Sequence, residues 1–137
     1  MRPDITGALD IIIGSWADEQ DIPVAWPNVS FDPPNSGEYL KVHDMPATPY
    51  SIDLAGKSKV YPGVFQVTAI FPVNIGSAKP RARARSIAAL FPEGREITGN
   101  GFTGWVTSEP TIFAGIEKDT SYSIPISINY RVDVYPS

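Results

Sequence analysis

Four cationic side chains follow one another within a short stretch of the sequence, at Lys79, Arg81, Arg83 and Arg85. Guanidinium groups bind carboxylates and phosphates through paired hydrogen bonds, so such a cluster can hold a neighbouring protein subunit or a phosphate backbone. Arg81 and Arg85 are one helical turn apart and share a face, whereas Arg83 points elsewhere. A solvated helix face is the alternative interpretation. The functional interpretation places Arg81, Arg83 and Arg85 at a subunit or partner contact.

The cluster is positioned by a predicted strand, turn and helix. Branched and aromatic residues alternate over Gly63–Phe71, which is typical of a strand, and Pro72 ends it because proline has no backbone donor. Ser77 is the predicted N-cap of the following helix. Its apolar stripe has the spacing of one helix face: Ala84, Ile87, Ala88 and Phe91. Cations at this end are unfavourable because a helix N-terminus is itself positive, which suggests an oppositely charged partner.

The remaining polar residues do not form a recognisable catalytic or metal site. Asp18, Glu19 and Asp21 lie in a predicted loop at 17–22, which lacks the ligand spacing and central glycine of a calcium loop. The chain has no cysteine, and its single histidine, His43, argues against a zinc site or a histidine-dependent triad. Neither a glycine-rich phosphate loop nor a G-x-S-x-G elbow is present. The sequence therefore predicts a protein without catalytic, metal-binding or cofactor-binding residues, and not an enzyme.

Length and charge restrict the function further. A chain of 137 residues is expected to form a single domain, here 1–137. The net charge of −4 argues against tight nucleic-acid binding, although it is compatible with DNA passing by without being held. The apolar run Ile11–Ile13 is too short for a signal peptide, and no run approaches the roughly 20 residues of a membrane span. We expect a soluble protein made in the cytoplasm, with no membrane partner.

A long connection at Pro46–Pro62 separates two predicted strands and exceeds what a hairpin needs. Its segments Tyr50–Leu54 and Ser58–Tyr61 are predicted to pair, which makes a flexible projecting hairpin arm. Since an isolated hairpin has no core of its own, the arm is expected to contact a partner. The candidate contact residues on the arm are Leu54, Lys57 and Lys59.

The other periodic segments complete the predicted architecture. The pattern predicts a first helix over Asp4–Trp16, an edge segment at Pro23–Phe31, and strands at Glu38–Met45, Phe102–Ser108, Thr111–Gly115 and Ser123–Tyr135. The predicted fold class is α+β. It comprises a single, mostly antiparallel sheet with two helices packed on one face and the projecting hairpin arm.

The chain also resembles the small phage tail-terminator proteins, the tail-completion group that caps siphophage tail tubes. The similarity is carried by IPVAWPNVSFDPP after the first helix, by EYLKVHDMPA, by the G-x-F-Q-V strand at 63–67 leading to a helix ending IAALFP, and by YSIPISINYR. These patterns extend from about Ile5 to Arg131, and they are patterns of fold rather than catalytic motifs.

The resemblance implies a structural protein of the virion tail, assembled in the host cytoplasm as a homohexameric ring. Such a ring sits on the last ring of the tail tube, stops its polymerisation and offers a surface for head-tail joining. Its implied partners are further copies of itself, the major tail tube protein and the head-completion protein, with DNA passing through the lumen without specific binding. The family brings no catalytic residues or cofactors.

A small binding module for a carbohydrate or protein ligand is the alternative function. It would use aromatic side chains such as Trp26, Trp105 and tyrosines. That function requires the aromatic rings to be exposed on one flat face, whereas a terminator would bury them or use them between subunits.

Overall fold

The computed structural model of the protein describes residues 2–33, 37–118 and 120–134. Within these ranges the elements follow one another as α1 (Ile5–Glu19), β1 (Val24–Ala25), β2 (Tyr39–Pro46), β3 (Tyr50–Ser51), β4 (Lys59–Pro72), α2 (Ala78–Ala88), β5 (Glu96–Gly99), β6 (Phe102–Val106), β7 (Thr111–Ile112), β8 (Ile116–Glu117) and β9 (Ser121–Val134).

The sheet is built around its two longest strands, β4 and β9, which are antiparallel from the Lys59–Val134 pair to the Pro72–Ser121 pair. The strand order is β1-β2-β4-β9-β6-β5, with β3 paired to β4 and both β7 and β8 paired to β9. Only β1 and β2 are parallel among the described pairs, and β1 lies at the edge beside Pro27, as a strand next to proline must. The predicted α+β class is confirmed, with a sheet that is mixed rather than strictly antiparallel.

One face of this sheet is apolar because its central strands alternate. Phe65, Val67 and Ala69 of β4 are fully buried, while the residues between them are only partly buried. Every second residue of β9 from Ile124 to Val132 is buried on the same face. Both helices pack into this single core, where the ring of Phe91 lies 6.0 Å from that of Phe65. The burial of each large apolar side chain in this core stabilises the folded protein by about 1.5–3 kcal/mol.

The first helix is longer than predicted. It begins after Asp4, whose Oδ1 accepts a 3.0 Å hydrogen bond from the backbone N–H of Gly7, and it continues past Trp16 to Glu19. Gly14 does not end the helix, and the indole of Trp26 packs over it, at 3.2 Å from where a Cβ would stand. Ala17 is fully buried in the last turn. The expectation that the loop begins at residue 17 was therefore wrong.

Two of the observed strands, β5 and β8, were not predicted from the sequence. β5 occupies a glycine-rich stretch that reads as a turn, yet it pairs with β6 and buries Ile97 in the core. The ring of Phe102 covers Gly99 across this hairpin, where a side chain would not fit. In contrast, the strand predicted at Thr111–Gly115 is restricted to β7, and β8 follows it. The predicted end of the last strand, Tyr135, lies outside the described residues.

Gly63 allows an aromatic ring to lie against the middle of β4. It is paired across the ladder with Tyr130 of β9, and a Cβ at Gly63 would overlap the Tyr130 hydroxyl and ring. The Tyr130 ring therefore occupies the space that a side chain at position 63 would fill, a role typical of glycine inside a strand. Tyr130 is one of the largest fully buried side chains of the protein.

Replacing Gly63 by alanine is expected to destabilise the fold by about 1–3 kcal/mol, because the added methyl overpacks the site and displaces the Tyr130 ring. Urea unfolding followed by circular dichroism measures this change. Thr68→Ala, at a partly buried position on the opposite face of the same strand, is the matched control and should cost less. Equal stability of Gly63→Ala and the wild type would contradict this packing role.

Candidate functional site

The cationic residues lie on α2, whose start matches the sequence prediction. Ser77 occupies the N-cap position, but its hydroxyl makes no capping bond to the backbone. Instead, the Ser77 Oγ accepts a hydrogen bond from the guanidinium of Arg81, one turn further along. Pro80 lies in the first turn, where its missing N–H is tolerated, and its ring is buried.

A single carboxylate accounts for half of the cationic cluster. Glu38, just before β2, accepts a 2.8 Å hydrogen bond from Arg83 Nε and forms a 3.7 Å ion pair with Lys79. The Arg83 guanidinium also lies over the ring of Trp16, 5.8 Å from its centroid. With its side chain only 22% exposed, Arg83 ties α2 to α1 and β2 within the subunit. Positive charge at this helix start is thus compensated by a partly buried carboxylate.

The other two arginines face solvent. Arg81 and Arg85 are both exposed, and neither forms an ion pair with another described residue. They lie one turn apart, as the sequence spacing predicts. The cluster therefore divides into a pair that contacts Glu38, the part-buried Arg83 and the exposed Lys79, and an external pair, Arg81 and Arg85. A contact between subunits stays a prediction for these residues, and the external pair is the half that is available for it.

The predicted arm is a hairpin whose base belongs to the sheet. Tyr50 pairs with Val60, and the backbone N–H of Ile52 reaches the carbonyl oxygen of Ser58. The returning leg is the first part of β4, which is also paired with β9, and both Val60 and Tyr61 are buried. The projecting part is therefore shorter than predicted, about residues 52–57.

The tip of the hairpin is ordered by one carboxylate and exposes one large apolar side chain. Asp53 Oδ1 accepts hydrogen bonds from the backbone N–H groups of Lys57, at 3.0 Å, and Ser58, at 3.2 Å. Leu54 has a relative exposure of 109%, so none of its side chain is covered. Lys57 is exposed beside it, whereas the Nζ of Lys59 donates a 2.7 Å hydrogen bond to Ser51 within the hairpin. Of the three predicted contact residues on the arm, Leu54 and Lys57 are at the tip.

A groove of about 610 Å³ lies between the end of α2 and the segment leading into β7. Its lining is mainly apolar with three charged side chains: Arg85, Ala88, Ala89, Pro92, Glu93, Glu109, Pro110 and Ile112. No single sequence motif indicates this groove, since its walls come from two segments separated by the β5–β6 hairpin. Only the structure shows that Ile112, which lines the groove, and the neighbouring Phe113 are 40% and 49% exposed.

A polar cluster on the helix-covered face holds the N-terminal segment to the sheet. The carboxylate of Asp44, 5% exposed, accepts hydrogen bonds from Tyr130 Oη at 2.7 Å, Thr6 Oγ1 at 2.6 Å and Arg2 at 3.3 Å. Burial, followed by the bond to Asp44 and its charge, raises the pKa of Tyr130, so its hydroxyl remains a donor. The cluster is satisfied by its own members, which is typical of a structural role.

Asp10 on α1 lies close enough to this polar cluster for the charge of Asp44 to oppose its ionisation. Burial first, and then the negative charges of Asp44 and Asp4, raise the pKa of Asp10 to about 6.

The tryptophans named for the alternative binding module lie on opposite faces of the sheet. Trp26 packs against Gly14 of α1, on the helix-covered side, and is only partly exposed. Trp105 lies on the other side, with the Arg131 guanidinium 5.4 Å from its ring centroid. Because these two tryptophan rings lie on opposite faces, they cannot form one flat aromatic surface for binding a carbohydrate.

The parts of the chain that the structure describes contain neither a metal-ligand set nor a helix that could span a membrane. In these ranges, no three His, Asp or Glu side chains converge as a metal-ligand set. Neither of the two described helices has the length and apolar character of a membrane span.

The sequence matches the family model for phage tail terminator proteins over residues 4–130, which includes every element from α1 to most of β9. The chain belongs to the phage tail terminator family. A solved structure that is 34% identical superposes with a TM-score of 0.84 and covers 100% of this chain and 99% of its own. No curated protein matches the chain at a significant level. The suspected family is confirmed, and this tail terminator is a structural component of a phage tail, a setting that favours a non-enzymatic role.

Asp10→Asn is expected to stabilise this tail terminator near neutral pH and to have little effect near pH 4. Because the pKa of Asp10 is higher in the folded protein than its ordinary 3.8, folding is favoured by protonation, and this contribution is lost as the pH rises through about 6. Thermal unfolding of both proteins across this range measures the difference. Ser15→Ala on the exposed side of α1 should retain the wild-type pH profile. An identical profile for Asp10→Asn and the wild type would contradict the shifted pKa.

Proposed function

We propose that the protein assembles as a hexameric ring that caps the tail tube, stops tube polymerisation and provides the surface for head-tail joining. Membership of the tail terminator family over residues 4–130 carries this proposal. Under it, the protein acts by shape and contact and is not an enzyme. Its partners are other copies of itself, the major tail tube protein and the head-completion protein. Assembly takes place in the host cytoplasm.

The distribution of exposed groups supports an assembly function. The hairpin tip with Leu54 and Lys57 projects where β4 begins, whereas Glu38, which holds the start of α2, precedes the Tyr39–Ile70 pair near the end of β4. The exposed Arg81 and Arg85 thus form a second surface, separate from the tip, and a ring subunit needs two separate contact surfaces. The hairpin exposes three large apolar side chains, Tyr50, Ile52 and Leu54, and a group of exposed apolar side chains on one projecting element favours a role in a protein contact.

The charge of the subunit is compatible with DNA passage through the ring. The chain carries a net charge of −4, and the Glu38 carboxylate, which contacts both Arg83 and Lys79, offsets one of the four clustered positive charges. A lumen formed by such subunits would not retain DNA by counterion release, which needs many free cations along the path of the phosphates. DNA passes without specific binding under this proposal.

Electron microscopy of tail tubes mixed with the purified protein tests the capping function. Tubes assembled from the cognate major tail protein should acquire an additional ring at one end, and tubes polymerised in its presence should be shorter than those formed alone. Bovine serum albumin at the same concentration controls for crowding. Bare tube ends and an unchanged length distribution would exclude tube capping.

The double substitution Arg81→Glu and Arg85→Glu is expected to weaken ring assembly without unfolding the subunit, since both side chains are exposed. Arg83→Glu is the contrasting variant. It should destabilise the monomer by about 1–2 kcal/mol, because it places a second carboxylate against Glu38.

Native mass spectrometry for assembly and urea unfolding for stability separate these two effects. Normal rings from the double variant would argue against a subunit contact at Arg81 and Arg85. Unchanged stability of Arg83→Glu would contradict the internal role of that arginine.

A further inference from the structure

We propose that the hairpin tip of one subunit, about residues 52–57, inserts into the groove between α2 and β7 of the next copy of this chain. The inference rests on the proposed ring and names the two surfaces that would join its neighbours. Leu54 would occupy the apolar floor near Ala89 and Ile112. Lys57 would face the acidic side of the groove.

The two surfaces lie too far apart to meet within one subunit. The hairpin is attached through β3 to the side of β4 that faces away from β9, whereas β7 is attached to the opposite side of β9. Along the strands, the hairpin joins β4 at Lys59. Ile112 of the groove pairs with Ile126 of β9, and Ile126 pairs with Val67 of β4. The two surfaces are thus separated along the sheet by the length of β4 from Lys59 to Val67. That separation alone is roughly 26 Å at about 3.3 Å per residue. The hairpin can therefore reach such a groove only on another copy of the chain.

The tip and the groove are complementary in polarity. The groove is mainly apolar, with Ala89 and Ile112 exposed, and Leu54 is the most exposed large apolar side chain of the described chain. Removing such a side chain from water favours association in proportion to the area that it buries.

The charges of the two surfaces are complementary as well. The hairpin between residues 50 and 59 carries Asp53, Lys57 and Lys59, a net charge of +1. The groove carries one cation and two carboxylates, a net charge of −1: Arg85, Glu93 and Glu109. On the hairpin, Asp53 uses only Oδ1 to order its own loop, which leaves Oδ2 to accept from Arg85 of the next subunit.

The contact is directional, which suits a ring. A projection on one side of the sheet that fits a groove on the other side is a heterologous interface, and such interfaces repeat around a closed ring when the rotation between copies closes. Each subunit would give one hairpin and receive one. The groove side also contains Arg85, so the external arginines and the hairpin tip would belong to one continuous interface.

Disulfide trapping tests the contact directly, because the chain has no cysteine of its own. The single variants Leu54→Cys and Ala89→Cys are mixed with cognate tail tubes and oxidised. A covalent dimer that contains one of each, identified by mass spectrometry, is the expected result. The double variant should give a ladder of covalent oligomers. Ser15→Cys paired with Leu54→Cys is the matched control, since residue 15 is exposed on α1 outside the groove, and should give no specific product.

A photo-crosslinker attached to the cysteine of Leu54→Cys identifies the occupant without prior choice of the partner residue. A benzophenone group at this position should label peptides 85–93 or 109–112 of a second copy. Labelling of the tube protein instead, or the absence of any link between copies with tubes present, would overturn the inference. Tube capping is scored in the same samples, so capped tubes without hairpin-to-groove links reject this contact and leave the capping function standing.

Charge exchange provides a second measurement. Lys57→Glu should weaken assembly by at least about tenfold in the concentration needed for rings, and adding Glu109→Lys should restore it. Both positions are exposed, so the folded monomer should be unaffected. Failure of the double variant to recover any assembly, with intact monomers, would count against the proposed pairing.

Discussion

The antiparallel pairing of β4 with β9 is the constraint on which the rest of the structure depends. It runs unbroken from the Lys59–Val134 pair to the Pro72–Ser121 pair, and every other strand except β1 and β5 is attached directly to one of these two. Because their buried faces are in register, the two strands present one continuous apolar surface to both helices. The same pairing extends into the base of the hairpin, so that only the tip projects from the sheet.

This arrangement also explains how an acidic subunit carries a cationic helix. Glu38 lies where β2 begins, beside the first turns of α2, and it binds Arg83, which packs against the body of the protein, and forms a longer ion pair with the exposed Lys79. The two exposed arginines are left on the outer side. Internal compensation thus separates the residues that hold the fold from those that can reach a partner, and Trp16 strengthens the first group by lying under Arg83.

Much of the architecture could be predicted because it depends on local periodicity. The alternation in β4 and β9, the apolar stripe of α2 and the N-cap position Ser77 are visible in the sequence, and the structure confirms them. The strand β5 was missed because its glycines resemble a turn, and its strand conformation depends on Phe102 covering Gly99. The length of α1 was underestimated as well, and Trp26, which packs over Gly14 of this helix, comes from a later segment of the chain.

The class of fold, the likeness to tail terminators and the candidate contact residues follow from the amino-acid sequence. Which of those residues are available for a partner follows from the folded structure. Arg83 donates a hydrogen bond to Glu38 and Lys59 donates one to Ser51, whereas Arg81, Arg85, Leu54 and Lys57 face solvent. The folded structure also forms the groove beside Arg85. The physical reason is that periodicity reports which face of an element is apolar, whereas the availability of a charge or a groove depends on residues brought together from distant parts of the chain.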